Sequence, residues 1–251
     1  MIKEIIKTVL RMLGIGIHRL HGKYVEDGLI TVHSDIFREE PRFLQAYARG
    51  VQSSRGFDPH FRWRVHTALW AAQTSLRVSG DFVECGVNAG FMSSAIMQYL
   101  DWNRLDRRFY LIDTFSGSIL DQFSEHEVQS ARRDIAVAAM HAGAYVTDME
   151  RVLENFAEWP SATVIRGAIP EVLTTTPIRH VAFLHIDMNC ALPEEAALEF
   201  FWDRLSPGAA VLLDDYAYMG HACQRTAIDC LARRLHATVL ALPTGQGLII
   251  R

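Results

Sequence analysis

From residue 80 onward the chain alternates short apolar runs with segments of helix length, and this alternation limits the open folds more than any other feature. DFVECGV (81–87), RFYLIDTF (108–115), ATVIRG (162–167), HVAFLHIDMN (180–189) and GAAVLLDDY (208–216) each read as a buried strand. ATVLALP (237–243) and GLIIR (247–251) read as a closing pair, and EVQSARRDIAVAAMHAG (127–143) and PEEAALEFFWDRL (193–205) as intervening helices. Strand, helix, strand in repetition predicts parallel strands joined by crossover helices. Runs such as VAFL and AVLL are apolar at every position, as strands covered on both faces must be. The expected fold class is α/β: a Rossmann-like, doubly wound, mostly parallel sheet with an N-terminal helical extension. Ligands of such sheets sit beyond the carboxyl ends of the strands, so those ends carry the functional question.

The first 75 residues read differently. Ile2, Ile5, Ile6, Val9, Leu10 and Leu13 recur at helical spacing, with Lys3, Lys7 and Arg11 opposite them. Such a stripe docks on its own domain, with a homodimer or a membrane surface as the other readings. PRFLQAYARG and WRVHTALWAAQTSL read as two further helices, and the Ser-, Gly-, Asp- and Pro-bearing stretch 53–59 as the loop between them. The expected division is a helical extension or lid over 1–60 and one catalytic domain over 61–251. A net charge of −4 supplies no field for a polyanion, so no nucleic-acid partner is expected. The four cysteines form no Cys-x-x-Cys pair, no apolar run reaches about 18 residues, and the N-terminus lacks a secretory pattern. A cytoplasmic protein without stable membrane insertion is the expectation.

The first apolar strand runs into Glu84-Cys85-Gly86-Val87-Asn88-Ala89-Gly90. Glycines there allow a tight turn and close ligand approach at a helix N-terminus. Asn88 stands where a dinucleotide fingerprint would have its second glycine, which argues against a pyrophosphate. An acid two residues before the first glycine suits a ligand carrying an ammonium group, as S-adenosylmethionine does; an ordinary βα turn is the alternative. Asp113, ending the second strand, is placed to accept ribose hydroxyls. The fourth strand ends in Asp187 and Asn189 and the fifth in Asp214 and Asp215. Neighbouring carboxylates repel unless a cation lies among them, and all-oxygen donors favour Mg²⁺; a helix-capping Asp pair is the alternative.

Taken together, FVECGVNAGF, LIDTFSG, GAIPEVL, HIDMN and SPGAAVLLDDY resemble the macrocin O-methyltransferase family, from about Trp63 to the C-terminus. The resemblance implies an enzyme dependent on S-adenosylmethionine and a metal, methylating a hydroxyl of a sugar or natural product. It implies Glu84, Gly86 and Asp113 at the cofactor, alongside Asn88 and Gly90 of the same turn, and Asp187, Asp214 and Asp215 at Mg²⁺. One departure matters. Better-known members carry D-x-D after the fourth strand, the second Asp acting as base, whereas here Asn189 stands in that place. An amide cannot take the proton at neutral pH, so the expected catalytic set is Asp187, Asn189 as a neutral ligand, and His221 as base, with His185 a weaker base candidate. The rival readings are a non-catalytic S-adenosylmethionine-binding protein, an NAD-dependent oxidoreductase and a metal-dependent glycosyl transferase.

Overall fold

Apolar runs with both faces buried can satisfy their backbone groups only by lying side by side, and they do. The computed structural model describes residues 24–251, together with Leu10 and Met12. Its main sheet comprises β3 (Asp81–Cys85), β4 (Phe109–Asp113), β5 (Ala162–Arg166), β6 (Val181–Ile186), β7 (Leu205–Leu213), β8 (Leu240–Ala241) and β9 (Gly247–Ile250). Their order is β5-β4-β3-β6-β7-β9-β8, parallel from β5 to β7 and antiparallel at β9 and β8. The chain reverses its direction of travel across the sheet between β3 and β6, so a crevice opens beyond their carboxyl ends.

Side-chain alternation sorts each strand into two cores. Phe82, Phe109, Leu111, Phe183 and Leu212 face α1 (Pro41–Ser53), α2 (Arg62–Ser75) and α3 (Phe91–Tyr99). Val83, Tyr110, Ile112, Leu184 and Val211 face α7 (Ala191–Trp202) and α8 (Ala222–Arg234). The same alternation puts Glu84 on the Phe82 side and His185 on the Phe183 side, and the register pairs Glu84 with His185. Asp187 and Asp214 follow at the ends of adjacent strands, since Asp214 N–H donates to the Ile186 carbonyl at 2.9 Å. Polar side chains thus line one edge because the register brings those strand ends level.

Before the sheet, β1 (Tyr24–Glu26) and β2 (Leu29–Thr31) form a short hairpin that the hydropathy pattern did not announce. It is tied to α2 by Arg62 Nη1 to Glu26 Oε1 at 2.6 Å. The expected continuous helix over 127–143 is instead two, α4 (Glu125–Gln129) and α5 (Arg132–His141), broken at Ala131 with φ +60°. Glu127 explains the interruption in part. It is fully buried, completes a capping box with Ser124 and accepts the Ala191 N–H at 2.9 Å, so α4 is fixed to the start of α7. α6 (Met149–Phe156) was likewise not foreseen. The loop expected over 53–59 follows α1, and the two closing strands pair as expected. The N-terminal stripe, Leu10 apart, lies outside the described residues.

Candidate active site

A cavity of about 710 Å³ lies beyond the carboxyl ends of β3, β4, β6 and β7. Glu84, Gly86, Asn88, Asp113, Asp187, Asn189 and Asp214 line it; among the expected site residues Gly90, Asp215 and His221 do not. Gly86, at φ +89°, has no room for a Cβ, which would stand 1.8 Å from the Asp187 carbonyl oxygen. Gly90, at φ +83°, starts α3 and packs against the Phe156 ring. These two positions need glycine for steric reasons alone.

Asp113 organises the turn itself. Its Oδ2 accepts the N–H groups of Val87 at 2.7 Å and Asn88 at 2.8 Å, and its Oδ1 accepts that of Phe115 at 2.7 Å. Much of the capacity expected to serve a ribose is therefore already taken by backbone. Asn88 is a tether: its amide donates to the Ala144 carbonyl at 3.1 Å and accepts Val146 N–H at 2.8 Å, holding that loop over the cavity. Glu84 is buried, with Oε1 2.9 Å from His185 Nδ1 and Oε2 without a partner. An orphaned carboxylate oxygen beside the glycine turn fits the ammonium group of S-adenosylmethionine, and the volume suits a ligand of that size.

The acid half is more heavily charged. Burial opposes a charge on His185, but bonds to Asp214 and Glu84 outweigh it and hold the imidazolium up to about 10. Burial also opposes ionisation of Asp214, yet Arg64, His185 and Gln246 together hold it well below the usual carboxylate range. Asp215 is pushed up to about 6 by burial and by the charge on Asp214. Asp187 is raised well above the ordinary range by burial and by both of those neighbours. Asn189 donates from Nδ2 to Asp187 Oδ1 at 3.2 Å.

His221 stands apart from the expected role. It precedes α8, accepts from Gln224 Nε2 at 2.7 Å and lies 3.2 Å from Asp215 Oδ2. Burial and the cations of Arg132 and Arg64 push it down to about 3, which leaves a neutral, weakly basic ring away from the cavity wall. His185 is buried between two carboxylates, hydrogen-bonded through Nδ1 to Glu84 and with Nε2 3.6 Å from Asp214 Oδ1, and is not a free base.

The residues missed from sequence are Arg64, Gln246 and Glu194. Arg64 Nη1 contacts Asp214 Oδ2 closely and Asp215 Oδ1 at 3.5 Å, and its Nε lies 2.7 Å from Asp27 Oδ2. Gln246 Nε2 donates to Asp214 Oδ1 at 2.8 Å, and Glu194 Oε1 accepts the Met188 N–H at 3.2 Å. Arg64 did leave a trace in the sequence. It heads the helical row Ala68, Ala71 and Ser75, all fully buried, where a charge needs a partner.

The expected Mg²⁺ does not fit this arrangement. The position among Asp214 and Asp215 that a cation would fill holds the Arg64 guanidinium, and the remaining Asp214 oxygen faces Gln246 and His185. Among the described residues no group of three or more His, Cys, Asp or Glu side chains is arranged to hold a metal ion.

Residues 83–216 match the sequence family described as a methyltransferase domain. The chain belongs to that family. It is an enzyme of the methyltransferase class, with S-adenosylmethionine as methyl donor. It is similar to the 8-demethyl-8-(2,3-dimethoxy-alpha-L-rhamnosyl)-tetracenomycin-C 4'-O-methyltransferase of Streptomyces olivaceus, at 29% identity over 198 residues, 75% of this chain and 72% of that one. Among solved structures it resembles the O-methyltransferase NovP, with a TM-score of 0.63 and 21% identity over 75% of this chain and 79% of that one. It also resembles the calicheamicin methyltransferase CalS11, with a TM-score of 0.56 and 16% identity over 94% and 97%. These structures share its Rossmann-like fold. The oxidoreductase and glycosyl-transferase readings have no support beside this one. Among the described residues no helix is long and apolar enough to cross a membrane.

Proposed function

We propose that this methyltransferase acts on a hydroxyl oxygen of a sugar-bearing natural product, with Asp187 as the general base. The observation that carries the reading is the meeting, in one cavity, of the orphaned Glu84 oxygen and the Asp187 carboxylate at the ends of adjacent strands. When bound, S-adenosylmethionine supplies a sulfonium methyl that passes to the acceptor oxygen and leaves S-adenosylhomocysteine. Glu84 takes the ammonium end, the Gly86 turn gives the cofactor its floor, and Asp113 keeps that turn closed with any remaining lone pair for the ribose.

Asp187 receives the hydroxyl proton. Burial and the charges of Asp214 and Asp215 raise its pKa, which makes it a stronger base than a free aspartate. Asn189 orients the carboxylate in place of acting as a base itself. The acceptor enters past Phe57, Pro59 and Phe61 of the loop after α1, with Phe91 behind them. This apolar mouth suits the body of an aglycone or the C–H face of a sugar. The rhamnosyl-tetracenomycin named for the Streptomyces relative is a sugar-bearing acceptor of this kind. Four free cysteines, two of them buried, fit the expected cytoplasmic setting.

Calorimetry with S-adenosylhomocysteine, followed by methyl transfer to rhamnosyl-tetracenomycins and to their unglycosylated counterparts, tests the reading. The expected result is binding, and transfer to the sugar-bearing acceptors alone. Failure to bind would remove the cofactor assignment, and transfer only to the unglycosylated compounds would remove the sugar assignment.

A further inference from the structure

The acid cluster already has a resident cation. Arg64 is 7% exposed and belongs to the first turn of α2, some 150 residues from the aspartates it meets. Its Nη1 reaches both Asp214 and Asp215, and its Nε reaches Asp27 at 2.7 Å from the turn of the β1–β2 hairpin. The ring of Tyr218 lies 4.2 Å from the guanidinium carbon, and the Tyr218 hydroxyl donates to Asp27 Oδ1 at 2.8 Å. Three carboxylates and an aromatic face therefore enclose one guanidinium. The helix that carries it is itself pinned, because Arg62 pairs with Glu26 and with Asp58.

We propose that the Arg64 guanidinium is the built-in counter-ion of the Asp214–Asp215 pair, doing by permanent charge what a divalent ion would do, so that this enzyme works without Mg²⁺. A guanidinium stays protonated at every accessible pH and makes planar, forked contacts with carboxylates. Mg²⁺ requires near-octahedral oxygen donors at short range. To enter here it would have to expel Arg64, leaving a buried cation without its main partners and Asp27 without its counter-charge. Losing one partner of a buried pair is strongly unfavourable. Asp214 keeps no free oxygen, since Oδ1 faces Gln246 and His185, and Asp215 Oδ2 faces His221. Asp187 then takes the acceptor proton with no metal-bound alkoxide to assist it. The step from metal independence to acceptor chemistry rests on the function proposed above; the charge arrangement does not.

The test uses the full chain after chelator treatment. Mg²⁺ is titrated calorimetrically, and the unfolding temperature is read with Mg²⁺ and with NaCl of equal ionic strength. The expected result is no saturable Mg²⁺ heat and no rise in unfolding temperature beyond the salt control. Arg64→Met keeps the aliphatic stem and removes the charge, and it is expected to gain a saturable, stabilising response to Mg²⁺. Arg64→Lys keeps one charge and should stay indifferent to Mg²⁺. A single saturable Mg²⁺ site in the parent protein, abolished by Asp214→Asn, would overturn the proposal. An Arg64→Met protein that folds as well as the parent and ignores Mg²⁺ would overturn it too. If Arg64→Met does not fold, the parent titration decides alone. S-adenosylhomocysteine affinity, read in the same samples, is expected to change less than twofold on chelation. Failure of that ligand to bind at all would count against the cofactor reading and leave the Mg²⁺ result standing.

Discussion

At β3 and β4 the glycine turn and Asp113 organise one another through backbone N–H groups, whereas at β6 and β7 the aspartates are held by side chains from distant elements. Asp113 draws its three close donors from Val87, Asn88 and Phe115, all beside the two strand ends. Asp214 draws its partners from α2, β6 and the turn before β9, through Arg64, His185 and Gln246. The cofactor half is thus fixed by chain geometry, and the acid half by balanced charge. Damage to the first should disturb shape and ligand binding together. Damage to the second should separate catalysis from binding.

The largest separation is expected at Asp187. Asp187→Asn keeps the volume and the Asn189 neighbour but cannot take a proton. Turnover should fall by about 10²- to 10⁴-fold, the usual worth of general-base assistance. S-adenosylhomocysteine affinity, measured by calorimetry, should stay within about twofold. A loss smaller than tenfold would place the base elsewhere.

Arg64→Ala should come next, through stability. Breaking a buried ion pair by removing one partner costs about 3–5 kcal/mol, because the remaining charges lose compensation. Denaturant unfolding at neutral pH reads this directly. Adding Asp214→Asn should recover part of the loss, as the two changes act on one interaction. Simple additivity would show that Arg64 matters for packing and not for charge.

Asp113→Asn tests the other half. It exchanges a charged acceptor of three N–H groups for an amide, and charge-assisted hydrogen bonds are worth about 1.5–3 kcal/mol. Stability and S-adenosylhomocysteine affinity should fall together, in contrast with Asp187→Asn. If affinity alone falls, Asp113 serves the ribose more than the turn.

Stability around His185 should also depend on pH. His185 rises from an ordinary 6.5 to about 10 in the folded protein, so folding binds its proton more tightly. Its contribution is complete below pH 6.5 and is lost as pH rises through 10. Asp215, at about 6, has finished titrating before most of that window opens. Unfolding free energy should therefore decline between pH 6.5 and 10, and Glu84→Gln should flatten the decline. A flat profile in the parent protein would mean that the ring is neutral.

The same contrast decides what could be read from the sequence. The sheet was legible because β3, β4, β6 and β7 are mostly apolar and run out at Gly86, Asp113, Asp187 and Asp214. The glycine turn was legible because its requirement is steric and local. The broken helix at Ala131 was not, since no Gly or Pro marks it and the fixed point is a contact between Glu127 and the start of α7. Arg64 was hidden for a related reason. Its meaning comes from Asp27, Asp214 and Asp215, which neighbour it only after folding. The aspartates were expected to hold Mg²⁺, but the guanidinium that lies against them belongs to a helix some 150 residues away, and a single sequence does not reveal that meeting.

The smallest effect is expected at Asn189, and it probes how the acid half is tuned. Asn189 sits at φ +58°, a backbone conformation that Asn tolerates better than most residues, and its amide donates to Asp187 Oδ1 at 3.2 Å. It touches the base and cannot itself take the proton, so it is a positioning residue. A hydrogen bond to a charged group is worth about 1.5–3 kcal/mol. This one is long and its donor is partly exposed, so only part of that is felt, and Asn189→Ala should slow turnover by about 2- to 10-fold. A structural role alone would stop there. The pH–rate profile adds the decisive readout: with the donor gone, ionised Asp187 loses a partner, and the rise in rate with pH should move to higher pH. Asn189→Asp should move it further, because a second carboxylate 3.2 Å away opposes ionisation of the first. If both variants slow the reaction without moving the profile, Asn189 shapes the loop and leaves the base untouched. If Asn189→Asp instead accelerates turnover, the aspartate of the D-x-D pattern is the better base, and Asp187 holds that role here only because Asn189 has given it up.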